Sequence, residues 1–333
     1  MAAKIADTTK PTFYLDQSTL CEAFAALSLP GSRRAPHSAY RRVVPWIERI
    51  ASEANFCLSI AHLLELAAWQ DTAAADGVAA WLDALPVVWM LKLDTILAEE
   101  ADHWLQTALG TTPRPVQPFA PSMWRAFENW TPSSIAIATE HASIPGALGL
   151  FREMNHRGGA ELSKAGAQAF RVDRAQFAAW TSGQKTERIG QKIRAELRKI
   201  AGDAHQRFEA SGDSTYAALG QTWGGVMDPF VEFVERTPEA LPAWRVMCGF
   251  SEGFAEVAVA RTPGSKGDRE LSSSVNDGLH AALGVYCDVF TCDALMSRML
   301  ADTRVRLGRH RQLSAGEIGD AEAFVDALTT TWP

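Results

Sequence analysis

Three short apolar runs, each leading straight into helix-like sequence, limit what this chain can fold into. They are residues 12–15 (TFYL), 55–60 (NFCLSI) and 86–91 (PVVWML). A strand with one face in water alternates apolar and polar side chains. A strand that is apolar on both faces must be covered on both. Helical spacing follows each run: LCEAFAAL after the first, AHLLELAAWQD and TAAADGVAAWLDAL after the second, and residues 93–109 after the third. Between the first and second runs, residues 39–54 put Val43, Val44, Ile47, Ile50 and Ala51 on one helical face. Strands alternating with amphipathic helices predict a parallel sheet with helices on both sides.

The pattern breaks after Gly110. Prolines at 113, 115, 118 and 121 let no helix cross that stretch. From 122 to about 260 only helical spacing is present, and residues 261–267 (RTPGSKG) form a second break. Beyond it come a helix over 269–285, a strand over 286–291 (YCDVFT), a helix over 294–300, a short run at 305–307 and a last helix over 315–328. The expected architecture is therefore α/β, a three-layer α/β/α sandwich with a short parallel sheet, interrupted by an all-α insertion. Residues 10–109 and 267–333 build the sandwich, and 110–266 is the insertion. Such an insertion is physically reasonable, because the chain ends of a domain often meet at its surface.

Composition narrows the partners. There are 32 Lys and Arg against 39 Asp and Glu, a net charge of −7. This excludes a uniformly basic nucleic-acid coat but not a local basic patch. Apolar residues at 47% and charged residues at 21% exclude intrinsic disorder. Cys21, Cys57, Cys248, Cys287 and Cys292 contain no CxxC pair, so reduced thiols are expected, with no disulfide framework and no zinc knuckle. No uncharged apolar window reaches membrane-spanning length, and MAAKIADTTKPTF has no signal-peptide core. No membrane partner and a cytoplasmic location are expected.

In parallel sheets, sites form beyond the carboxyl ends of the strands. Asp16 ends the first run. Glu65 lies one turn into the helix after the second. Asp293 comes just after the last clear strand, and Asp277 lies in the helix before that strand. These four acids converge only if the first and last strands are sheet neighbours.

TFYLDQSTL (residues 12–20), FCLSIAHLLELAAW (56–69) and NDGLHAALGVYCDVFTCD (276–293) resemble the PIN-like nuclease domains. The likeness covers about half the chain, residues 12–109 and 268–310. It pairs Asp16 with Ser18 in a D-x-S turn, puts Glu65 after strand two and Asp277 before strand four, and pairs Thr291 with Asp293 in a T-x-D turn. The resemblance implies an α/β/α sandwich and divalent-metal-dependent hydrolysis of phosphodiester bonds. It makes Asp16, Glu65, Asp277 and Asp293 the catalytic and metal-binding acids, with Ser18, Thr291 and His280 in support. RNA, single-stranded or structured, is the implied partner. The other reading is a catalytically inactive PIN-like scaffold or binding module, acting through a protein partner on the helical insertion. Hard carboxylate oxygens suit Mg²⁺ or Mn²⁺. Such an ion activates water and offsets charge on the phosphate. Without metal, four clustered acids repel, so one or more should hold its proton more tightly.

Each residue also has a plain structural use. Asp16 and Asp293 suit helix N-caps, and Asp277 suits a first helical turn. Glu65 sits beside an apolar face, among Leu63, Leu64 and Leu66. His62 and His280 lie three residues from Glu65 and Asp277, on the same helical faces, where packing is the alternative to supporting the acids. Ser18 and Thr291 suit turns. Asp288 reads as structural, and Asp94, Glu99, Glu100 and Asp102 read as solvated surface, with membership of one of them in the acid cluster as the alternative. Residues 185–207 hold seven Lys or Arg against three acids. There Arg188, Lys192, Arg198 and Lys199 suit a phosphate backbone or a solvated face. Arg304, Arg306, Arg309, His310 and Arg311 form a second basic cluster. Trp124, Trp130, Trp180, Trp223 and Trp244 read as core rather than as base-stacking platforms.

Overall fold

β1 (Thr12–Tyr14) lies between two parallel neighbours, β2 (Asn55–Leu58) and β5 (Val289–Cys292). The computed structural model describes residues 10–28, 38–120 except Pro86, 143–153, 229–249 except Pro238, 278–292, 311–314 and 320–330, with a few isolated positions. Among them the element order is β1, α1 (Gln17–Ser28), a 3-10 turn (Ser38–Arg42), α2 (Val43–Ile50), β2, α3 (Ile60–Ala68), α4 (Thr72–Ala84), β3 (Val87–Met90), α5 (Leu93–Ala108) and β4 (Phe119–Ala120). Then come α6 (144–153), α7 (229–236), α8 (242–249), α9 (278–284), β5, β6 (Arg311–Ser314) and α10 (Ala321–Thr329). Among the described residues the sheet has six strands in the order β4-β3-β2-β1-β5-β6, all parallel except β4.

The period of two along each strand explains the covering on both faces. Phe13, Leu15, Phe56, Leu58, Trp89, Val289 and Leu313 enter one apolar cluster, which takes in residues of α1, α2, α3, α4, α6 and α10. Tyr14, Cys57, Val88, Met90, Phe290 and Cys292 enter the other, with Ile96 of α5, Ala243 and Val246 of α8, and Ala281 to Leu283 of α9. Burying two faces requires these runs to be apolar throughout, as they are. A third cluster joins Phe230, Val231 and Val234 of α7 and Trp244 of α8 to Leu105 of α5. Trp244 is thus a core residue, as expected, and its ring N–H donates to the Leu97 carbonyl at 2.9 Å. The other four tryptophans named above lie outside the described residues.

Three elements differ from expectation. β5 starts at Val289 rather than 286, because the chain is still turning there. Tyr286 N–H donates to Leu283 O and Cys287 N–H to Gly284 O. Asp288 then fastens the turn to β1, its Oδ2 accepting from the Thr12 N–H at 2.8 Å and the Thr12 hydroxyl at 3.1 Å. Within the proline-punctuated stretch, expected to be a break with no regular element, Phe119 and Ala120 form β4. Pro118 lacks an N–H but still offers its carbonyl to Leu91 N–H at 2.8 Å, which leads the chain alongside β3. The edge strand β6 runs over Arg311–Ser314, whereas the run expected at 305–307 lies outside the described residues. All five cysteines are free thiols. Among the described residues, no helix is long and apolar enough to cross a membrane.

Candidate functional site

After β1 the chain builds outward through β2 and β3. β5 and β6 lie on the other side of β1. The direction of winding therefore switches between β1 and β5, and the crevice beyond their carboxyl ends is where an open parallel sheet offers a site. Asp16 and Thr291 meet there. The Asp16 N–H donates to Thr291 Oγ1 at 2.8 Å, and that hydroxyl donates to Asp16 Oδ1 at 2.6 Å. Asp16 Oδ1 also accepts from Thr19 Oγ1 at 2.5 Å, and Oδ2 accepts from Ser18 Oγ. Asp16 is only 5% exposed, and among the described residues its carboxylate is met by hydroxyls rather than by a cation. A carboxylate offers about four lone-pair directions, so three hydroxyls leave room for one more partner.

Glu65 projects from α3, and its Oε1 lies 3.5 Å from Nε2 of the buried His280 on α9. Behind this pair runs a buried polar chain. His280 Nδ1 lies 2.7 Å from the Tyr14 hydroxyl, which lies 2.6 Å from Ser59 Oγ. Ser59 caps α3, and its N–H donates to His62 Nδ1 at 3.1 Å. His62 thus takes the third-residue place that Glu or Gln fills in a capping box. Its Nε2 lies 2.8 Å from the Leu15 carbonyl. Burial, then the neighbouring His280, push the His62 pKa down to about 3, so its ring is neutral. Burial holds the Tyr14 hydroxyl well above its usual range, so it keeps its proton. The Cys21 thiol on α1 is raised by burial first, then by Glu65, then by Asp16. Both carboxylates therefore act on one thiol.

Asp16, Ser18, Thr291, Glu65 and His280 are placed at or behind this crevice. Asp277 and Asp293 lie outside the described residues, immediately before α9 and immediately after β5 in sequence. Arg188, Lys192, Arg198, Lys199, Arg304 and Arg306 also lie outside them. Among the described residues, no three His, Cys, Asp or Glu side chains gather closely enough to hold a metal. The donor chemistry of Asp16 and Glu65 nonetheless fits Mg²⁺, which keeps several waters and takes one or two carboxylates.

Tyr14, Ser59 and Thr19 escaped the sequence reading. Tyr14 carries a hydroxyl inside an apolar strand, and that was its only signal. Glu100 was expected on the solvated surface and is instead fully buried. Its Oε1 accepts from the Ala243 N–H at 2.8 Å and from the Tyr286 hydroxyl, and its Oε2 accepts from the Trp244 N–H at 3.2 Å. The first N–H groups of α8 are unpaired within their helix, and Glu100 supplies their acceptor. Glu99 and Asp102 do take surface partners, Gln117 N–H and Gln106 Nε2. The side chain of Asp94 lies outside the described residues. Compared with family models, curated proteins and solved structures, the chain matches none.

Proposed function

We propose that the chain is a divalent-metal-dependent nuclease of PIN-like fold, an endoribonuclease acting on single-stranded or structured RNA. The observation that supports this most is the position of Asp16: a buried carboxylate at the switch point of a parallel sheet, fixed by Ser18, Thr19 and Thr291. β1 and β5 are neighbours, which is the condition for the four acids to converge. Asp16 and Glu65, with Asp277 and Asp293, would hold Mg²⁺ or Mn²⁺. The chemistry a bound ion supplies is activation of water and neutralisation of charge on the phosphate. The three hydroxyls hold the Asp16 carboxylate in one orientation, so little ordering remains when a ligand arrives. Segment 110–266 is the proposed insertion, with Arg188, Lys192, Arg198 and Lys199 gripping the RNA backbone, joined by Arg304 and Arg306 from the sandwich.

The test is cleavage of single-stranded RNA by the full chain with Mn²⁺ or Mg²⁺. Cleavage should vanish without metal and in Asp16→Asn, with thermal unfolding unchanged enough to show a retained fold. Full activity in Asp16→Asn overturns the assignment. An inert wild-type chain that still captures RNA or protein through 110–266 points to a scaffold instead.

A further inference from the structure

We propose that His280 is a positioning residue for Glu65, held in one tautomer by Tyr14 and Ser59, so that its Nε2–H braces the Glu65 carboxylate. The inference rests on the metal-site reading above.

Proton directions along the buried chain follow from one donor that has no choice. A backbone N–H can only donate, so the Ser59 N–H makes His62 Nδ1 an acceptor. The neutral His62 ring then carries its proton on Nε2 and gives it to the Leu15 carbonyl, 2.8 Å away. The single ring lone pair of His62 Nδ1 is now taken, and Ser59 Oγ lies 3.3 Å from it, a long approach. The Ser59 hydroxyl therefore gives its hydrogen to the Tyr14 oxygen at 2.6 Å. Tyr14, kept protonated by burial, donates onward to His280 Nδ1 at 2.7 Å. With Nδ1 accepting, the His280 ring proton sits on Nε2.

That Nε2 is a buried polar atom with no hydrogen-bond partner among the described residues, on a residue 1% exposed. An unpaired buried donor is costly, so it calls for an explanation. The acceptor it faces is Glu65 Oε1, at 3.5 Å, just beyond hydrogen-bond length. Glu65 is the more exposed partner, with its side chain 20% accessible against 2% for His280, so Glu65 is the one free to move. A small shift of its carboxylate completes the bond. Donors behind a metal-binding carboxylate orient it in the same way that partners orient ligating histidines. The opposite direction of the chain, with Nδ1–H donating to Tyr14, would set the bare Nε2 lone pair against a carboxylate, which is repulsive.

Two measurements on the full chain decide the matter. The first is Mn²⁺ uptake without RNA, followed by loss of the free-ion electron paramagnetic resonance signal. Wild type should bind, and Asp16→Asn should bind far less. Tyr14→Phe and His280→Phe should weaken binding about 10–100-fold, the usual effect of removing an outer-shell partner. His280→Gln, which keeps a donor near the Nε2 position, should recover part of the loss. Folded Tyr14→Phe and His280→Phe variants with wild-type affinity, beside a defective Asp16→Asn, overturn the positioning role and leave the metal site standing. A wild-type chain that takes up no Mn²⁺ overturns both. The second measurement is the ¹⁵N–¹H spectrum of the histidine rings, which needs no variant to fold. It should show His280 protonated on Nε2 with Nδ1 accepting, and a ring protonated on Nδ1 overturns the proposal.

Discussion

One hydroxyl joins the ends of two neighbouring strands: Thr291 Oγ1 on β5 accepts from the Asp16 N–H at 2.8 Å and donates to the same residue's Oδ1 at 2.6 Å. Both atoms of Asp16 are buried, so losing the hydroxyl leaves a donor without an acceptor. Thr291→Val keeps the shape and removes the hydroxyl. It should cost roughly 1–3 kcal/mol, the penalty of an unsatisfied buried group. Thr291→Ser keeps the oxygen and should retain most of the stability. Urea unfolding of the pair checks this, and equal stability of the Val variant and wild type would count against the linkage.

Gly284, near the end of α9, has a packing reason to be glycine. A Cβ built there would lie 2.1 Å from Cδ2 of Phe290, a residue with no exposure. The ring is fully buried and stacks on Tyr14 with centroids 5.6 Å apart. Gly284→Ala should destabilise by about 1–3 kcal/mol, as overpacking does. Adding Phe290→Leu should recover part of the loss, since the two changes share one volume. A double-mutant cycle by thermal unfolding measures that coupling, and strictly additive effects would rule out the clash.

The strands nearest the site were legible in sequence because they are apolar on both faces, and a run such as NFCL has few other places to go. The helices were legible because their spacing is regular. β4 was not, since two residues beside prolines carry no periodicity and gain their strand character only from β3. Asp16 stood out because an acid directly after an apolar strand is conspicuous. Tyr14 and Glu100 did not. An aromatic in a strand and an acid in an amphipathic helix both have common explanations, and only the fold shows that each meets hydrogen-bond partners from distant segments. His280 lies in a helix more than 200 residues from Glu65 in sequence. Their meeting depends on β5 choosing β1 as its neighbour.

His62 makes the fold sensitive to acid. Its pKa is about 3 in the folded chain and near 6.5 when exposed. Between those values the unfolded chain binds the proton and the folded one does not. Stability from this residue is therefore complete above about 6.5 and is lost as pH falls toward 3, with a slope of at most about 1.4 kcal/mol per pH unit. His62→Gln removes the titrating group and keeps an acceptor for the Ser59 N–H, because Gln is a normal capping-box residue. Urea unfolding at several pH values below about 4.5 should show a shallower acid slope in that variant, and an unchanged slope there would exclude His62 as its source.

Glu100 acts in the opposite direction. Burial pushes its pKa from 4.5 up to about 7, against the pull of the Tyr286, Ala243 and Trp244 donors. The folded chain therefore holds a proton on Glu100 where the unfolded chain has released it. Stability from this group is complete below about 4.5 and declines as pH rises through about 7. The two windows overlap, so between about 4.5 and 6.5 the slopes of Glu100 and His62 have opposite signs and largely cancel. A flat wild-type profile in that range would thus conceal two titrations. Glu100→Gln cannot titrate, and its Oε1 can still accept from Ala243 N–H and Tyr286. In this variant the His62 slope should emerge, with stability rising as pH goes from about 4.5 to 6.5. In His62→Gln the reverse should appear, with stability falling over the same range. A flat His62→Gln profile over this range, beside a Glu100→Gln profile that still rises, would show that Glu100 is already ionised throughout, its three donors outweighing its burial.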